Sequence, residues 1–212
     1  MDLIFVMDGA PRLARIAVDA GFLYGVRGRQ TPCLPPAFLD LDWRRPDFPA
    51  HLERCRHHRP RYAVAGDAED GDQLALVLEQ ARVLRDEGVP EVIVVPKAPG
   101  MVAVIPPEYV VGLSVPTGFG ATQAPYWEYL GRRVHLLGGP PGVQLRLWAL
   151  LGAAVVSADG NSHLAAARRG TVWDGRRWAG GADGEPPGPD MVYRAFARSC
   201  ANIRAAWDRH ER

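Results

Sequence analysis

The stretch Tyr62–Val95, YAVAGDAEDGDQLALVLEQARVLRDEGVPEVIVV, decides the fold class of this 212-residue chain. It opens and closes with short apolar runs, Tyr62–Ala65 and Glu91–Val95. Between them, apolar side chains recur at helical spacing over Gln73–Glu87, and Gly88 supplies a stop. A strand, a helix and a second strand in this order predict a βαβ unit with parallel strands.

The same alternation runs through most of the chain. Eight runs are predicted as strands: Leu3–Met7, Phe22–Val26, Ala37–Leu41, Tyr62–Ala65, Glu91–Val95, Val110–Val115, Val134–Leu137 and Ala154–Ser157. The predicted helices are Pro11–Ala20, Pro49–His58, Gln73–Glu87, Ala124–Leu130, Gly142–Leu151 and Ser162–Arg169. Eight parallel strands close on themselves, which predicts a single-domain α/β protein, a compact (β/α)₈ TIM-type barrel. Such barrels usually have about 250 residues, so we expect trimmed loops.

An open doubly wound sheet is the alternative fold, but no GxGxxG turn follows the first strand. Within the barrel fold, residues 1–173 are predicted to form the barrel and residues 174–189 a loop rich in glycine and proline. Residues 190–212 are predicted to form a terminal helix that packs on the barrel. Its apolar stripe consists of Val192, Phe196, Cys200, Ile203 and Trp207.

Composition narrows the functional classes. The formal net charge of +1 means that a polyanion would have to be held by a local basic patch. The three cysteines form no CxxC pair, and no cluster shows metal-ligand spacing, so we expect neither a metal nor another cofactor. No apolar segment approaches the roughly 18 residues of a membrane span, and a cytoplasmic protein is expected.

Reactive groups of barrel enzymes lie at the carboxyl ends of the strands. The residues at those ends are Asp8, Asp40 and Asp42, Asp67, Lys97, Ser114 and Thr117, Gly138 and Gly139, and Asp159 with Asn161. Several carboxylates would then converge on one mouth, where repulsion and partial burial can separate their pKa values. An aspartate after a strand can instead be a helix cap, and His135 inside a strand is interpreted as a wall histidine rather than a ligand.

The segment Val134–Trp173, VHLLGGPPGVQLRLWALLGAAVVSADGNSHLAAARRGTVW, resembles the nucleophile region of the tRNA-guanine transglycosylases and their DNA-modifying 7-deazaguanine relatives. The resemblance implies that Asp159 is the nucleophile, Asp40 the base-activating aspartate and Asp67 the base-recognising aspartate. The chemistry implied is attack of a carboxylate on C1′, release of the base, and completion by a new base or water. The residues expected to bind substrate are Asp42, Lys97, Gly112, Ser114, Gly138, Gly139, Asn161 and Arg168.

Two departures from that family bear on the partner. The family's Cys-Val-x-Pro-Thr-Arg sequence is replaced here by Gly160–Leu164, and its zinc-binding cluster is missing. The first argues against the usual tRNA substrate. The second favours a shortened, zinc-less relative acting on DNA or on another nucleic acid, with DNA favoured over tRNA and a free nucleobase as a possible second substrate. The expected phosphate contacts are Arg27, Arg29, Arg44, Arg45, Arg168, Arg169, Arg176 and Arg177.

Two other functions stay open at this point. One is a small-molecule barrel enzyme acting on a phosphorylated sugar, with Gly138-Gly139 as the phosphate-binding turn. The other is a barrel that binds nucleic acid without turnover.

Overall fold

Eight parallel strands close into a barrel in chain order in the computed structural model, which describes residues 1–7, 9–116, 122–180 and 187–210. The strands are β1 Asp2–Val6, β2 Leu23–Arg27, β3 Phe38–Asp40, β4 Tyr62–Ala68, β5 Glu91–Pro96, β6 Val110–Ser114, β7 Val134–Leu137 and β8 Val155–Gly160. Each strand pairs with the next, and β8 pairs with β1. The predicted (β/α)₈ barrel is confirmed.

The outer layer consists of helices of very different length. They are α1 Pro11–Asp19, α2 Phe48–His58, α3 Gly71–Asp86, α4 Met101–Val104, α5 Pro141–Leu151, α6 Ser162–Ala167 and α7 Pro189–His210. The predicted helix at Ala124–Leu130 is wrong: only a 3₁₀ turn, Tyr126–Tyr129, fits between Pro125 and Gly131. No helix lies between β2 and β3, which helps to explain the short chain. None of the described helices is both long and apolar enough to cross a membrane.

Side chains of alternate strand positions divide the core into two parts. Those that point into the barrel form one cluster: Ile4, Val6, Phe38, Tyr62, Val64, Ile93, Val95 and Val110. Those that point outwards join the apolar faces of the helices in a second, larger cluster. Because successive strand residues face opposite sides, the last inward residue of each strand reaches the carboxyl-terminal mouth of the barrel.

Two irregularities change which residues face inwards. The register between β4 and β5 shifts between Val64 and Gly66, so that Asp67 pairs with the inward Val95. The register between β7 and β8 shifts after Val134, so that His135 pairs with Ser157. A β-bulge of this kind adds one residue to a strand and reverses its alternation from that point on. Both shifts turn an aspartate of the mouth towards the barrel interior.

The carboxyl-terminal segment covers the outside of the barrel. The region predicted as a loop from residue 174 contains a short strand, Trp178–Ala179, which pairs antiparallel with Val172–Trp173. Both strands lie outside the barrel. In α7, the ring of Phe196 lies 5.0 Å from that of Phe5 on β1, and Trp207 stacks on Trp148 of α5 at 4.7 Å. These aromatic contacts fix α7 against the barrel wall and its helices.

Candidate active site

Three carboxylates meet at the mouth of the barrel. Asp40 ends β3, while Asp67 lies within β4 and Asp159 within β8. The carboxylates of Asp159 and Asp67 are both close enough to Asp40 to raise its pKa. The chain therefore brings together the three aspartates to which the sequence assigned the chemistry.

Asp40 is the carboxyl group most clearly altered by its surroundings. Its pKa is raised well above the ordinary value of 3.8, first by burial among protein atoms and then by the charges of Asp159 and Asp67. Arg27, at the end of β2, opposes the rise. Asp40 consequently keeps its proton to a higher pH than an ordinary carboxyl group, which suits a proton donor.

Asp159 is held in one orientation by His135, within β7, and by Gly138, directly after β7. Its Oδ1 accepts a hydrogen bond from the backbone N–H of Gly138 at 2.9 Å and lies 3.2 Å from His135 Nε2. Its side chain is 11% exposed. Both contacts use Oδ1, and Oδ2 has no hydrogen bond within the described residues. A carboxylate fixed by one oxygen and open at the other is suited to attack a substrate carbon.

His135 lies beneath Asp159 and is completely buried. Its Nδ1 lies 2.8 Å from Ser157 Oγ, its Nε2 faces Asp159, and its ring stacks on Phe38 at 5.4 Å between centroids. The order Ser157–His135–Asp159 is not a serine-nucleophile triad, because Ser157 is buried below the mouth. His135 is therefore a buried wall histidine, as its place within a strand predicts, and it also supports Asp159.

Lys97, directly after β5, connects Asp67 on β4 to Ser114 on β6, the two strands that flank β5. Its Nζ lies 2.8 Å from Asp67 Oδ2 and 2.6 Å from Ser114 Oγ. The two charged side chains are only 16% and 22% exposed. The Lys97 backbone is fixed as well, since its N–H donates to the carbonyl of Ala68 and its carbonyl accepts from Gln123. One ammonium group thus partly offsets the charge of the carboxylate cluster.

Replacement of Lys97 by methionine is expected to destabilise the chain. The change leaves Asp67 without its cation beside two further carboxylates, and losing one partner of a largely buried pair costs about 3–5 kcal/mol. Urea unfolding at pH 7 measures this loss. The double variant Lys97→Met/Asp67→Asn should recover most of the lost stability, whereas equal stabilities for the single variant and the natural chain would contradict the role of the pair.

The glycine turn after β7 builds the support for Asp159. Gly138 and Gly139 have φ angles of +65° and +83°, and a Cβ on Gly139 would collide with Val115. The carbonyl of Gly138 accepts from Gln144 Nε2, which also donates to the backbone carbonyl of Asp159 at 2.7 Å. The turn predicted to bind substrate is therefore already engaged in holding the β8 backbone and its carboxylate.

The remaining predicted binding residues are more scattered. Gly112 faces the interior below Ser114, but a Cβ there would come within 2.6 Å of Leu137 Cδ1, so this position is filled by packing. The side-chain amide of Asn161 donates to the carbonyl of Val6 at 3.3 Å. Arg168 is exposed at the far end of α6 and is not brought to the carboxylates. Asp8 and Thr117, also predicted at strand ends, lie outside the described residues.

Most of the chain matches one known protein family. A family model described as "Family of unknown function (DUF6610)" matches residues 17–208. The chain belongs to the DUF6610 family. No curated protein matches its sequence. The crystal structure of the Amycolatopsis orientalis BexX/CysO complex is similar at a TM-score of 0.39 and 15% identity, over 100% of this chain and 91% of that chain.

The DUF6610 chain has a cavity of about 300 Å³ on the mouth side of the barrel, next to Asp42. Arg29, Arg45 and Arg54 line it, together with Asp42 and Asp47. Arg54 Nη2 donates to the carbonyl of Gln30, whereas its Nη1 is buried without a hydrogen-bond partner in the described part of the chain. The carboxylate of Asp47 accepts from Arg29 and from the N–H of Ala50. The lining therefore has an excess of hydrogen-bond donors.

The predicted basic residues separate into two groups. Arg27, Arg29, Arg44 and Arg45 follow or end β2 and β3, on the mouth side. Arg168, Arg169, Arg176 and Arg177 lie instead at the end of α6 and in the turn between the two outer strands. In this DUF6610 chain no group of three or more His, Cys, Asp or Glu among the described residues is arranged to hold a metal ion.

Proposed function

We propose that this chain cleaves an N-glycosidic bond of a nucleobase in nucleic acid, with DNA as the favoured substrate and Asp159 as the nucleophile. The observation that carries the proposal is the convergence of Asp40, Asp67 and Asp159 on one barrel mouth, with Asp159 fixed by Gly138 and His135. Attack on a sugar carbon needs an oriented carboxylate and a second group that manages the proton. The mouth supplies both.

The bond changes follow from these positions. Oδ2 of Asp159 forms a bond to C1′, and the C1′–N bond breaks with its electron pair going to the base. The raised pKa of Asp40 lets this carboxyl group donate a proton to the leaving base. The Asp40 carboxylate can then take a proton from water, which attacks C1′ and frees Asp159. If a second base attacks instead, the outcome is base exchange.

Recognition of the base is assigned to the wall formed by Asp67, Lys97 and Ser114. The ion pair and the Lys97–Ser114 hydrogen bond fix the direction of the Asp67 carboxylate. A fixed carboxylate can accept hydrogen bonds from the N–H groups of a base edge. A base inside a duplex must first be flipped out to reach this wall, at a cost of about a few kcal/mol.

DNA remains the favoured partner for two reasons. The arginines at the ends of β2 and β3 and the cavity beside Asp42 provide cationic groups for backbone phosphates next to the mouth. In the altered segment after Asp159, His163 is buried against the rings of Phe5 and Phe196, so this side chain packs the core instead of facing a nucleic acid. A cytoplasmic location is part of the same proposal.

The phosphorylated-sugar alternative has less support. The Gly138 N–H already bonds Asp159, and Pro141 at the start of α5 has no N–H. The N–H groups of Val143 and Gln144 bond the carbonyl of Pro140. A phosphate at this turn would find few free donors and a nearby carboxylate.

Incubation with mixed-sequence DNA tests the proposal. The expected result is a covalent protein–DNA species on a denaturing gel that is absent for Asp159→Ala. A mass-spectrometric digest of the DNA then separates the outcomes, because abasic sites indicate excision and a changed nucleoside indicates exchange. DNA that binds equally well to the natural chain and to Asp159→Asn, with neither adduct nor altered nucleosides, would overturn the proposal in favour of a binding barrel without turnover.

A further inference from the structure

Lys97 is the one lysine among the 25 lysine and arginine residues of the chain. The other 24 are arginines. The two side chains differ chemically, because a guanidinium stays protonated and is not nucleophilic, whereas a primary amine attacks carbonyl carbon once it loses its proton. The one side chain that carries a primary amine lies inside the mouth, in contact with Asp67.

The surroundings of Lys97 fit an amine that reacts. Its side chain is 16% exposed, and the carboxylate of Asp67 at 2.8 Å is placed to take its proton. Ser114 Oγ at 2.6 Å holds Nζ from the other side. Asp67 is in turn close enough to Asp40 to raise that group's pKa, which links Nζ to a proton donor. A nucleophile, a base that touches it and an acid therefore lie at the same barrel mouth.

We propose that Lys97 forms an imine with the C1′ aldehyde of an abasic deoxyribose, so that the site cleaves the DNA strand after base release. The proposal rests on the proposed function, which generates the abasic sugar when water completes the first reaction. The ring-opened sugar presents an aldehyde at C1′. The amine of Lys97, after giving a proton to Asp67, adds to this carbon.

The remaining steps balance without a further reactant. Loss of water, assisted by the proton of Asp40, leaves a C=N bond between C1′ and Nζ. A carboxylate of the mouth removes a proton from C2′, and the C3′–O bond breaks with its electrons leaving on the 3′ phosphate. Water then hydrolyses the imine, which returns the free amine and releases the unsaturated sugar aldehyde.

The experiment uses an oligonucleotide with one prepared abasic site and sodium borohydride, which reduces an imine to a stable secondary amine. The expected result is a covalent adduct that maps to Lys97 in a peptide digest. The reacting amine can be identified in this way because Lys97 is the single lysine of the 212-residue sequence, and the α-amine of Met1 lies in a different peptide. Lys97→Arg keeps the positive charge beside Asp67 and should lower trapping at least about 100-fold.

The controls separate this inference from the proposed function. Because the abasic oligonucleotide bypasses base release, Asp159→Asn should still be trapped. Trapping at Lys97 without base release from intact DNA would support the lysine chemistry and overturn the glycosidic proposal. An adduct at Met1, or equal trapping with Lys97→Arg, would overturn the lysine chemistry alone. Rapid labelling of Lys97 by a phosphorylated keto sugar, with none by the abasic strand, would overturn DNA as the source of the carbonyl.

Discussion

Asp159→Asn is expected to abolish the covalent adduct and to lower the rate of base release at least about 10³-fold, the scale seen when a catalytic nucleophile is removed. Asparagine has the same shape, and its amide oxygen can still accept the hydrogen bond from Gly138. The amide, however, lacks the charge that makes the carboxylate nucleophilic. Single-turnover assays with labelled DNA, sampled over hours, measure the change.

A matched substitution controls for the general loss of a negative charge. Asp72 is exposed in the first turn of α3, so Asp72→Asn should leave base release unchanged. Thermal unfolding should show that Asp159→Asn is folded, because the support from Gly138, His135 and Gln144 does not need the charge. An Asp159→Asn chain that is folded and fully active would remove Asp159 from the mechanism.

Asp40→Asn is expected to lower the rate of base release and, at high pH, to raise the stability of the fold. Base release should fall by about 10²–10⁴-fold, the usual contribution of a positioned proton donor. The natural chain should lose activity as the pH rises through the raised pKa of Asp40, because the group must hold its proton to donate it. The variant, which has no proton to lose at this position, should not show that decline. A pH series of single-turnover rates provides the comparison.

The stability of the same variant should change in the opposite direction. Since the pKa of Asp40 is raised in the fold, the folded chain binds its proton more tightly than the unfolded chain does. Its stability therefore falls as the pH rises from the ordinary value of 3.8 through the raised value, while asparagine escapes this loss. Each tenfold difference in proton affinity corresponds to about 1.4 kcal/mol.

Melting temperatures test this difference directly. For a chain of this size, 1 kcal/mol corresponds to about 2–4 °C. Asp40→Asn should melt several degrees above the natural chain at pH 8 and close to it at pH 4. A variant that melts lower than the natural chain at pH 8 would show that the carboxylate is a net stabilising group, and the assignment of Asp40 as the proton donor would fail with it.

Much of the barrel could be predicted because its strands are buried on both faces and separated by short helices. The eight apolar runs were found from residue types alone, and each became a strand. The boundaries were less predictable where a polar residue ends a strand. The eighth run was expected to stop at Ser157, but β8 continues to Gly160, because Asp159 and Gly160 pair with Ile4 and Phe5 of β1.

Two sets of contacts at the site could not be predicted from residue types. The contact of His135 with Asp159 depends on the register of β7 against β8, to which residue types give no direct guide. Lys97 was predicted at a strand end and is the single lysine of the chain, but its partners could not be read from the sequence. The contacts of Nζ with Asp67 and Ser114 depend on the order in which the strands pair in the barrel.

The sequence by itself determined that parallel strands alternate with helices and that aspartates follow several of those strands, because both are local properties of residue type and spacing. Which aspartates face one another was decided only by the tertiary structure. If side chains alternated strictly between the two faces from the inward Val64, Asp67 would point outwards. Strict alternation from the outward Val155 would also point Asp159 outwards. The bulges in β4 and β8 turn both aspartates towards the barrel interior. Their positions depend on closure of the barrel, because closure fixes the register of each strand against two neighbouring strands at once.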